Sequence, residues 1–178
     1  YFATEMNKAL TDNAEFVARF AREARASASL RSQHVARVLD VGQSEHGLPF
    51  MVMEYLRGTD LARELKVRGR LEPNQVVRHL LDACEGLGEA HAAGIVHRDL
   101  KPGNLFLAEE HDKKRILKII DFGIAKSLTQ KARLTADWMI LGSPQYISPE
   151  QLSAPRDVDA RADIWALGAI AFRLLTGK

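Results

Sequence analysis

The spacing of apolar residues divides the chain into a first part that mixes strands with a helix and a second part that is mainly helical. Apolar residues at positions 16, 20 and 24 predict a helix from about residue 12 to residue 30, with one buried face. Two shorter apolar runs, residues 35–41 and 49–54, are typical of strands, and a turn separates them. A second helix is expected to begin near Thr59.

The second part contains the two longest helical patterns. A helix is predicted from Pro73 to the glycine at position 94, because proline suits a first turn and glycine commonly ends a helix. Its predicted buried stripe consists of Val76, Val77, Leu80, Leu81, Cys84 and Leu87. The single cysteine, Cys84, is therefore expected to be a buried thiol. A final helix over residues 160–176 is apolar nearly all round, which predicts burial on every side.

Composition narrows the class of protein without assigning a function. The 178 residues are 46% hydrophobic and 27% charged, which suits a soluble globular chain of one domain or two small lobes. A net charge of +2 gives no reason to expect nucleic acid or an anionic membrane as a partner. The sequence shows no signal peptide, and its longest apolar helix is too short to span a bilayer. We therefore expect a cytoplasmic location and no membrane segment in this chain.

Two motifs in the second part stand in a distinctive order. The sequence His-Arg-Asp-Leu-Lys-Pro-Gly-Asn occupies residues 97–104, and Asp-Phe-Gly follows at residues 121–123. Two short predicted strands lie between them, at residues 105–107 and 117–120. An irregular segment then runs to Ser-Pro-Glu at residues 148–150. Each motif alone could arise by chance, but the ordered set indicates one site.

The residue types in these motifs suit the transfer of a phosphoryl group. Asp99 can orient an attacking hydroxyl or accept its proton, and Lys101 can offset charge on the transferred phosphate. The amide oxygen of Asn104 and the carboxylate of Asp121 are ligands that Mg²⁺ prefers. Within this motif, a purely structural role for Asp99, such as capping a loop amide, is disfavoured.

The ordered motifs resemble the catalytic domain of protein kinases, of the Ser/Thr type found in bacteria. The resemblance implies an α+β, protein-kinase-like two-lobe fold that is incomplete at both ends. Residues 1–53 would form part of the N-lobe, with its αC helix and strands, and residues 54–57 would form the hinge. Residues 58–178 would form part of the C-lobe, with the catalytic loop, the activation segment and a buried αF helix.

The resemblance also implies the site residues. The catalytic residues would be Asp99, Lys101, Asn104 and Asp121, with Asn104 and Asp121 as the metal ligands. The adenine pocket would be formed by the hinge and its neighbours, namely Met53, Glu54, Leu56 and Phe106. Glu23 would pair with a strand lysine that holds the α- and β-phosphates of the nucleotide; an ordinary helix glutamate is the alternative interpretation.

Other motif residues would have supporting roles by the same resemblance. Asp163 would hold the backbone of the catalytic loop, and helix capping is the alternative. His97 and Phe122 would be packing residues rather than acids or bases, and His91 would be structural. Arg98 would receive a phosphate on the activation segment.

The implied cofactors are ATP and Mg²⁺. The implied partner is a protein substrate that accepts phosphate on serine or threonine, because Asp-Leu-Lys-Pro is the Ser/Thr form of this loop in the family. Two copies could also associate as a dimer for autophosphorylation. Within the activation segment, Thr129 and Thr135 are the favoured regulatory sites.

The chain departs from the family pattern near both of its ends. No glycine-rich loop occurs, and Phe2–Glu5 takes the place of the lysine-bearing strand without a lysine, while Lys8 comes too late. Glu23 and Glu150 are therefore predicted to be buried carboxylates that lack their family partners. A pseudokinase or truncated kinase acting as a binding or scaffolding module is the alternative function. A small-molecule phosphotransferase is disfavoured, because a long segment ending in Ser-Pro-Glu serves protein substrates.

Overall fold

The computed structural model describes residues 2–5, 14–45, 49–110, 114–122, 144–153 and 157–178. The strands are β1 (Phe2–Glu5), β2 (Val38–Gln43), β3 (Pro49–Met53), β4 (Gly58–Asp60), β5 (Leu105–Glu109) and β6 (Arg115–Ile119). The helices are α1 (Ala14–Ser27), α2 (Leu61–Arg68), α3 (Pro73–Ala92), α4 (Pro149–Ser153) and α5 (Arg161–Thr176). Short 3-10 turns occur at Pro102–Asn104 and Pro144–Tyr146.

The first sheet has the strand order β1-β3-β2, and both pairings are antiparallel. Residues of β3 alternate between buried and half-buried, as expected for a strand with one face on the core. Met51 and Met53 belong to that core together with Phe20 and Ala24 of α1. The predicted first helix is confirmed, although α1 ends at Ser27. The start of the predicted helix, at residues 12 and 13, lies outside the described residues.

The second sheet has the order β4-β5-β6, and β4 was not expected from the sequence. The helix expected near Thr59 begins two residues later, because Thr59 pairs with Leu107 in the sheet. Asp60 then caps α2: its carboxylate accepts a hydrogen bond from the Arg63 amide at 2.9 Å. This bond satisfies one of the open amide donors in the first turn of the helix.

The strand predicted over residues 35–41 is displaced, since β2 begins at Val38. Val35 instead forms a parallel bridge with Ile119 of β6. The Ala36 amide donates to the Ile119 carbonyl at 2.9 Å, and the Ile119 amide donates to the His34 carbonyl at 2.8 Å. Backbone hydrogen bonds therefore join the stretch after α1 directly to the second sheet.

Helix α3 is confirmed, and Gly94, with φ of 74°, follows its end as expected. The predicted buried stripe is partly wrong. Its buried residues are Val76, Ala83, Gly86, Leu87 and Ala90, whereas Val77, Leu81 and Cys84 are exposed. The helix lies against β6 and α5. Sequence reasoning favoured the face with the larger apolar side chains, and the expectation of a buried Cys84 thiol is wrong for the same reason.

Helix α5 contradicts the prediction of burial on every side. Its buried face consists of Ala162, Asp163, Ala166, Leu167, Ile170 and Leu174. Its exposed large apolar residues are Ile164, Trp165, Phe172 and Leu175. The described residues thus cover one face of α5. None of the helices in the described ranges has the length and apolar character needed to cross a membrane.

We predict opposite effects for alanine at two glycines of α3. A Cβ on Gly86 would lie 2.9 Å from the His34 carbonyl oxygen, whereas a Cβ on Gly88 would meet no atom within 4 Å. Gly88→Ala should raise the free energy of unfolding by up to about 1 kcal/mol through helix propensity. Gly86→Ala should lower it by about 1–3 kcal/mol through overpacking. Denaturant unfolding measures both, and equal effects would contradict the close approach of α3 to residue 34.

Candidate active site

The loop that carries the first motif is anchored by a buried carboxylate in α5. Asp163 is 1% exposed, and its Oδ2 and Oδ1 accept hydrogen bonds from the amides of His97 and Arg98, each at 2.9 Å. Asp163 Oδ2 also lies 2.8 Å from His91 Nε2 near the end of α3. The expected roles of Asp163, in holding the loop backbone, and of His91, as a structural residue, agree with these contacts.

Two residues of the motifs have backbone conformations that L-amino acids rarely adopt. Arg98 has φ of 64° and Asp121 has φ of 55°. Such conformations persist only where the surroundings hold them, and they concentrate at functional sites. At Arg98 the bond from its amide to Asp163 supplies that restraint. The buried Nε of Arg98 has no hydrogen-bond partner among the described residues.

His97 is fully buried, and both of its ring nitrogens make hydrogen bonds to backbone groups. Its Nε2 lies 3.1 Å from the Ile120 carbonyl, and its Nδ1 accepts a bond from the Asp99 amide at 3.2 Å. These partners require a neutral ring that carries its proton on Nε2. Burial lowers the pKa of His97 from 6.5, against the opposing effect of the nearby Asp163 carboxylate. The ring packs on Phe122 with centroids 4.8 Å apart, so both residues are packing residues, as expected.

The catalytic loop brings three of the predicted residues together. Lys101 Nζ lies 3.2 Å from Asp99 Oδ2, so the ammonium and the carboxylate form an ion pair. The Asn104 side-chain amide donates to the Asp99 carbonyl at 2.8 Å, and the Asn104 backbone amide donates to the Lys101 carbonyl at 2.9 Å. Because its nitrogen is used in this way, Asn104 has its amide oxygen as the atom able to bind a cation.

The pairing of β5 with β6 brings the second motif to the first. Leu105 pairs with Ile119, and the Ile120 amide donates to the Asn104 carbonyl at 3.0 Å. Asp121 follows directly and is exposed. No group of three or more His, Cys, Asp or Glu side chains suited to a metal occurs in the parts of the chain that the structure describes. A cation held by Asn104 and Asp121 would therefore take further ligands from a bound phosphate, as Mg²⁺ commonly does.

A cavity of about 290 Å³ lies next to Asp121. Its lining includes five predicted site residues, Met53, Glu54, Leu56, Phe106 and Asp121. Tyr55, within the predicted hinge at residues 54–57, also lines it, whereas sequence reasoning missed Ala36 and Ile120. Ile120 adjoins the predicted Asp121 and could have been inferred, whereas Ala36 is brought there by the pairing of Val35 with Ile119. The volume is at the lower end of small-molecule pockets, about 300–1,000 Å³, and the mainly apolar lining suits a planar base.

A cleft larger than this cavity lies elsewhere among the described residues. It measures about 920 Å³ and runs along α5, beside Glu150, Arg161 and Trp165. None of the motif residues from the catalytic loop lines it. Size alone would therefore have selected the wrong place, and the converging polar groups identify the smaller cavity as the candidate site.

Glu54 contributes to the cavity differently from the other hinge residues. Its carboxylate Oε1 accepts bonds from Lys118 Nζ and from the Arg37 amide, each at 2.8 Å. Its own backbone amide donates to the Arg37 carbonyl at 3.0 Å. The side chain therefore links the predicted hinge to Lys118 of β6 and to Arg37, the residue before β2. Sequence reasoning missed Lys118, whose partner lies 64 positions earlier in the chain.

The two glutamates predicted to be buried are not. Glu23 on α1 and Glu150 on α4 are both half-buried. Glu23 is not among the described residues that line the cavity. Phe2–Glu5 is a strand, as expected for the place of the family's lysine-bearing strand, and Lys8 lies outside the described residues. The partial exposure reduces the electrostatic cost that burial would have imposed on these carboxylates.

Comparison with known proteins agrees with this geometry. The family described as protein kinase domain matches residues 2–178. The chain belongs to this family. The predicted α+β kinase fold is confirmed as a partial one, because the solved kinase domain of PknI from Mycobacterium tuberculosis superposes with a TM-score of 0.76 at 30% identity. That match covers 98% of this chain and 63% of the PknI chain. The division into residues 1–53, 54–57 and 58–178 stays a prediction.

Two bacterial serine/threonine-protein kinases illustrate the similarity. The chain is 40% identical to the serine/threonine-protein kinase pkn3 of Myxococcus xanthus over 164 residues, which is 90% of this chain and 30% of that protein. It is 36% identical to PknB of Mycobacterium leprae over 172 residues, or 95% of this chain and 27% of that protein. The chain thus spans less than a third of these two relatives.

We predict that the free energy of unfolding falls as the pH is lowered from about 7 to about 5. Burial lowers the pKa of His97 below its ordinary value of 6.5, and it also lowers the pKa of His79, which is less buried. Below that pH the unfolded histidines bind more protons than the folded ones, so the stabilisation is complete above it and is lost progressively as the pH falls. Each proton contributes at most about 1.4 kcal/mol per pH unit. Denaturant titrations of the unaltered chain and of His97→Phe test this, and an equally steep slope in the variant would contradict the assignment.

Proposed function

We propose that this chain is the core of a Ser/Thr protein kinase that transfers the γ-phosphoryl group of ATP to serine or threonine of a protein substrate. One observation carries the proposal: Asn104 is bonded to the Asp99 carbonyl and to the Ile120 amide, and the next residue, Asp121, lines an apolar cavity. The family and the names of the relatives support it.

In this proposal Asp99 acts on the substrate hydroxyl. Its carboxylate would orient that hydroxyl and accept its proton as the bond to phosphorus forms. Lys101, whose ammonium lies 3.2 Å from Asp99 Oδ2, would stabilise negative charge on the transferred phosphoryl group. The acceptor would be serine or threonine, by analogy with the relatives that are named serine/threonine-protein kinases.

Mg²⁺ and ATP would occupy the region between the cavity and the catalytic loop. The oxygens of Asn104 and Asp121 would hold the cation, which neutralises phosphate charge when bound. The apolar side chains of Met53, Leu56 and Phe106 would enclose the base. Glu54 would contribute through its backbone, because its carboxylate already contacts Lys118 and Arg37.

Regulation would act through Arg98 and the segment that follows Asp121. The buried Arg98 Nε lacks a partner among the described residues, and a phosphate on that segment would supply an acceptor. The favoured sites, Thr129 and Thr135, lie outside the described residues. The proposal includes autophosphorylation between two copies of the chain. It also includes a cytoplasmic location, because the phosphate donor would be ATP.

Asp99→Asn should lower the rate of phosphate transfer by about 10²–10⁴-fold, because it removes the proton acceptor. Nucleotide affinity should change little, since Asp99 is not part of the cavity lining. Transfer of labelled γ-phosphate to a generic Ser/Thr protein substrate, measured on the intact protein, tests the first expectation, and a nucleotide titration tests the second. The exposed Asp157→Asn is the matched control. An Asp99→Asn variant with the turnover of that control would refute the role of Asp99.

Asp121→Ala should remove most of the dependence of nucleotide binding on Mg²⁺, because it deletes a ligand to the cation. Titration with ATP in the presence and absence of Mg²⁺ gives the two dissociation constants. We expect their ratio to shrink by about tenfold or more, equivalent to about 1.4 kcal/mol. Glu110→Ala, an exposed carboxylate change in the β5–β6 turn, should keep the original ratio. A ratio that survives in Asp121→Ala would exclude Asp121 as a metal ligand.

A further inference from the structure

Residues 31–37, called here the connecting segment, lead from α1 to β2. At its start, a single side chain from α3 binds two consecutive backbone amides. The Arg31 amide donates to Glu89 Oε1 at 2.8 Å, and the Ser32 amide donates to Glu89 Oε2 at 2.6 Å. Hydrogen bonds to an ionised carboxylate are shorter and stronger than neutral ones. Both carboxylate oxygens of Glu89 thus accept hydrogen bonds from backbone amides in the first half of the chain.

The rest of the connecting segment runs along β6 to the cavity. His34 Nδ1 lies 2.8 Å from the Leu117 carbonyl, and the Ala36 amide donates to the Ile119 carbonyl at 2.9 Å. Ala36 then lines the cavity next to Met53. The segment therefore connects the end of α1 to one wall of the candidate nucleotide pocket.

The same turn of α3 also reaches the catalytic loop. Two residues after Glu89, His91 Nε2 lies 2.8 Å from Asp163 Oδ2, and Asp163 binds the amides that precede Asp99. One helical turn is thus bonded to the connecting segment on one side and, through Asp163, to the catalytic loop on the other. Its geometry sets the distance between them.

We propose that Glu89 is a positioning residue for phosphate transfer. Its carboxylate holds the connecting segment, and with it α1 and the Ala36 wall, at a fixed place relative to the catalytic loop. Neither motif contains Glu89, and it is not among the residues that line the cavity. The inference rests on the proposed function for its consequence in nucleotide binding, but the restraint itself can be measured without any nucleotide.

Amide hydrogen exchange on the intact protein, without nucleotide, tests the restraint. In Glu89→Ala the amides of Arg31 and Ser32 should exchange at least about tenfold faster, and those in the last turn of α1 should follow. The amide of Ile170, in the core of α5, should be unchanged. In Glu89→Gln only one of the two segment amides should lose protection, because a carboxamide offers one oxygen.

Glu85→Ala is the matched control for charge. Glu85 lies one turn earlier on α3, is 64% exposed, and approaches His34 Nε2 at 3.6 Å without binding a backbone amide. The Glu85→Ala variant should therefore show the same amide exchange rates at Arg31 and Ser32 as the unaltered protein. Unchanged exchange at these two amides in Glu89→Ala would overturn the proposal. An equal acceleration at Ile170 would also overturn it, since that result indicates global destabilisation.

Nucleotide titration tests the consequence. Glu89→Ala should weaken Mg-ATP binding by about tenfold, Glu89→Gln should restore part of the loss, and Glu85→Ala should bind as the unaltered protein does. Faster exchange in α1 with unaltered Mg-ATP affinity would overturn the positioning role. If the unaltered protein fails to bind Mg-ATP, the proposed function is refuted, and the exchange rates still decide whether Glu89 holds the segment.

Discussion

The buried carboxylate of Asp163 is the constraint on which the candidate site depends. A charge at 1% exposure is tolerated only where hydrogen bonds replace water. Here the replacement comes from His91 and from the backbone amides of His97 and Arg98. Because those amides immediately precede Asp99, the interaction that stabilises the buried charge also fixes the backbone that presents the proposed base.

The positive φ angles at Arg98 and Asp121 are consistent with this arrangement. Each conformation costs about 1–3 kcal/mol and needs a rigid surrounding. Asp163 restrains Arg98, while the pairing of β5 with β6 ends just before Asp121. His97 lies between them, bonded to Ile120 and to the Asp99 amide. Phosphoryl transfer asks a protein mainly for positioning and charge stabilisation, so rigidity at these two points is what the proposed chemistry requires.

Sequence reasoning could assign roles to residues 97–104 because these residues are adjacent in the chain, and those roles stay predictions. It predicted α3 and the strands β3, β5 and β6 with small errors at their ends. It failed where tertiary packing decides. Strand β4 exists through its pairing with β5. The buried face of α3 combines Val76 and Leu87 with alanine and glycine, and Lys118 contacts Glu54 from 64 positions away. Such partners carry no local signal.

The choice of the small-residue face of α3 has a consequence for the site. At Gly86 the helix lies so close to the His34 carbonyl that a Cβ would be 2.9 Å from its oxygen and 3.1 Å from the side chain of Ile119, so α3 is tightly packed at this point. Close-packed contacts of this kind leave the helix little room to shift relative to the connecting segment. Had the face with Val77 and Leu81 been buried, Glu89 and His91 would have turned away from their partners. Burial of the small residues therefore allows one helix to hold both the connecting segment and the anchor of the catalytic loop.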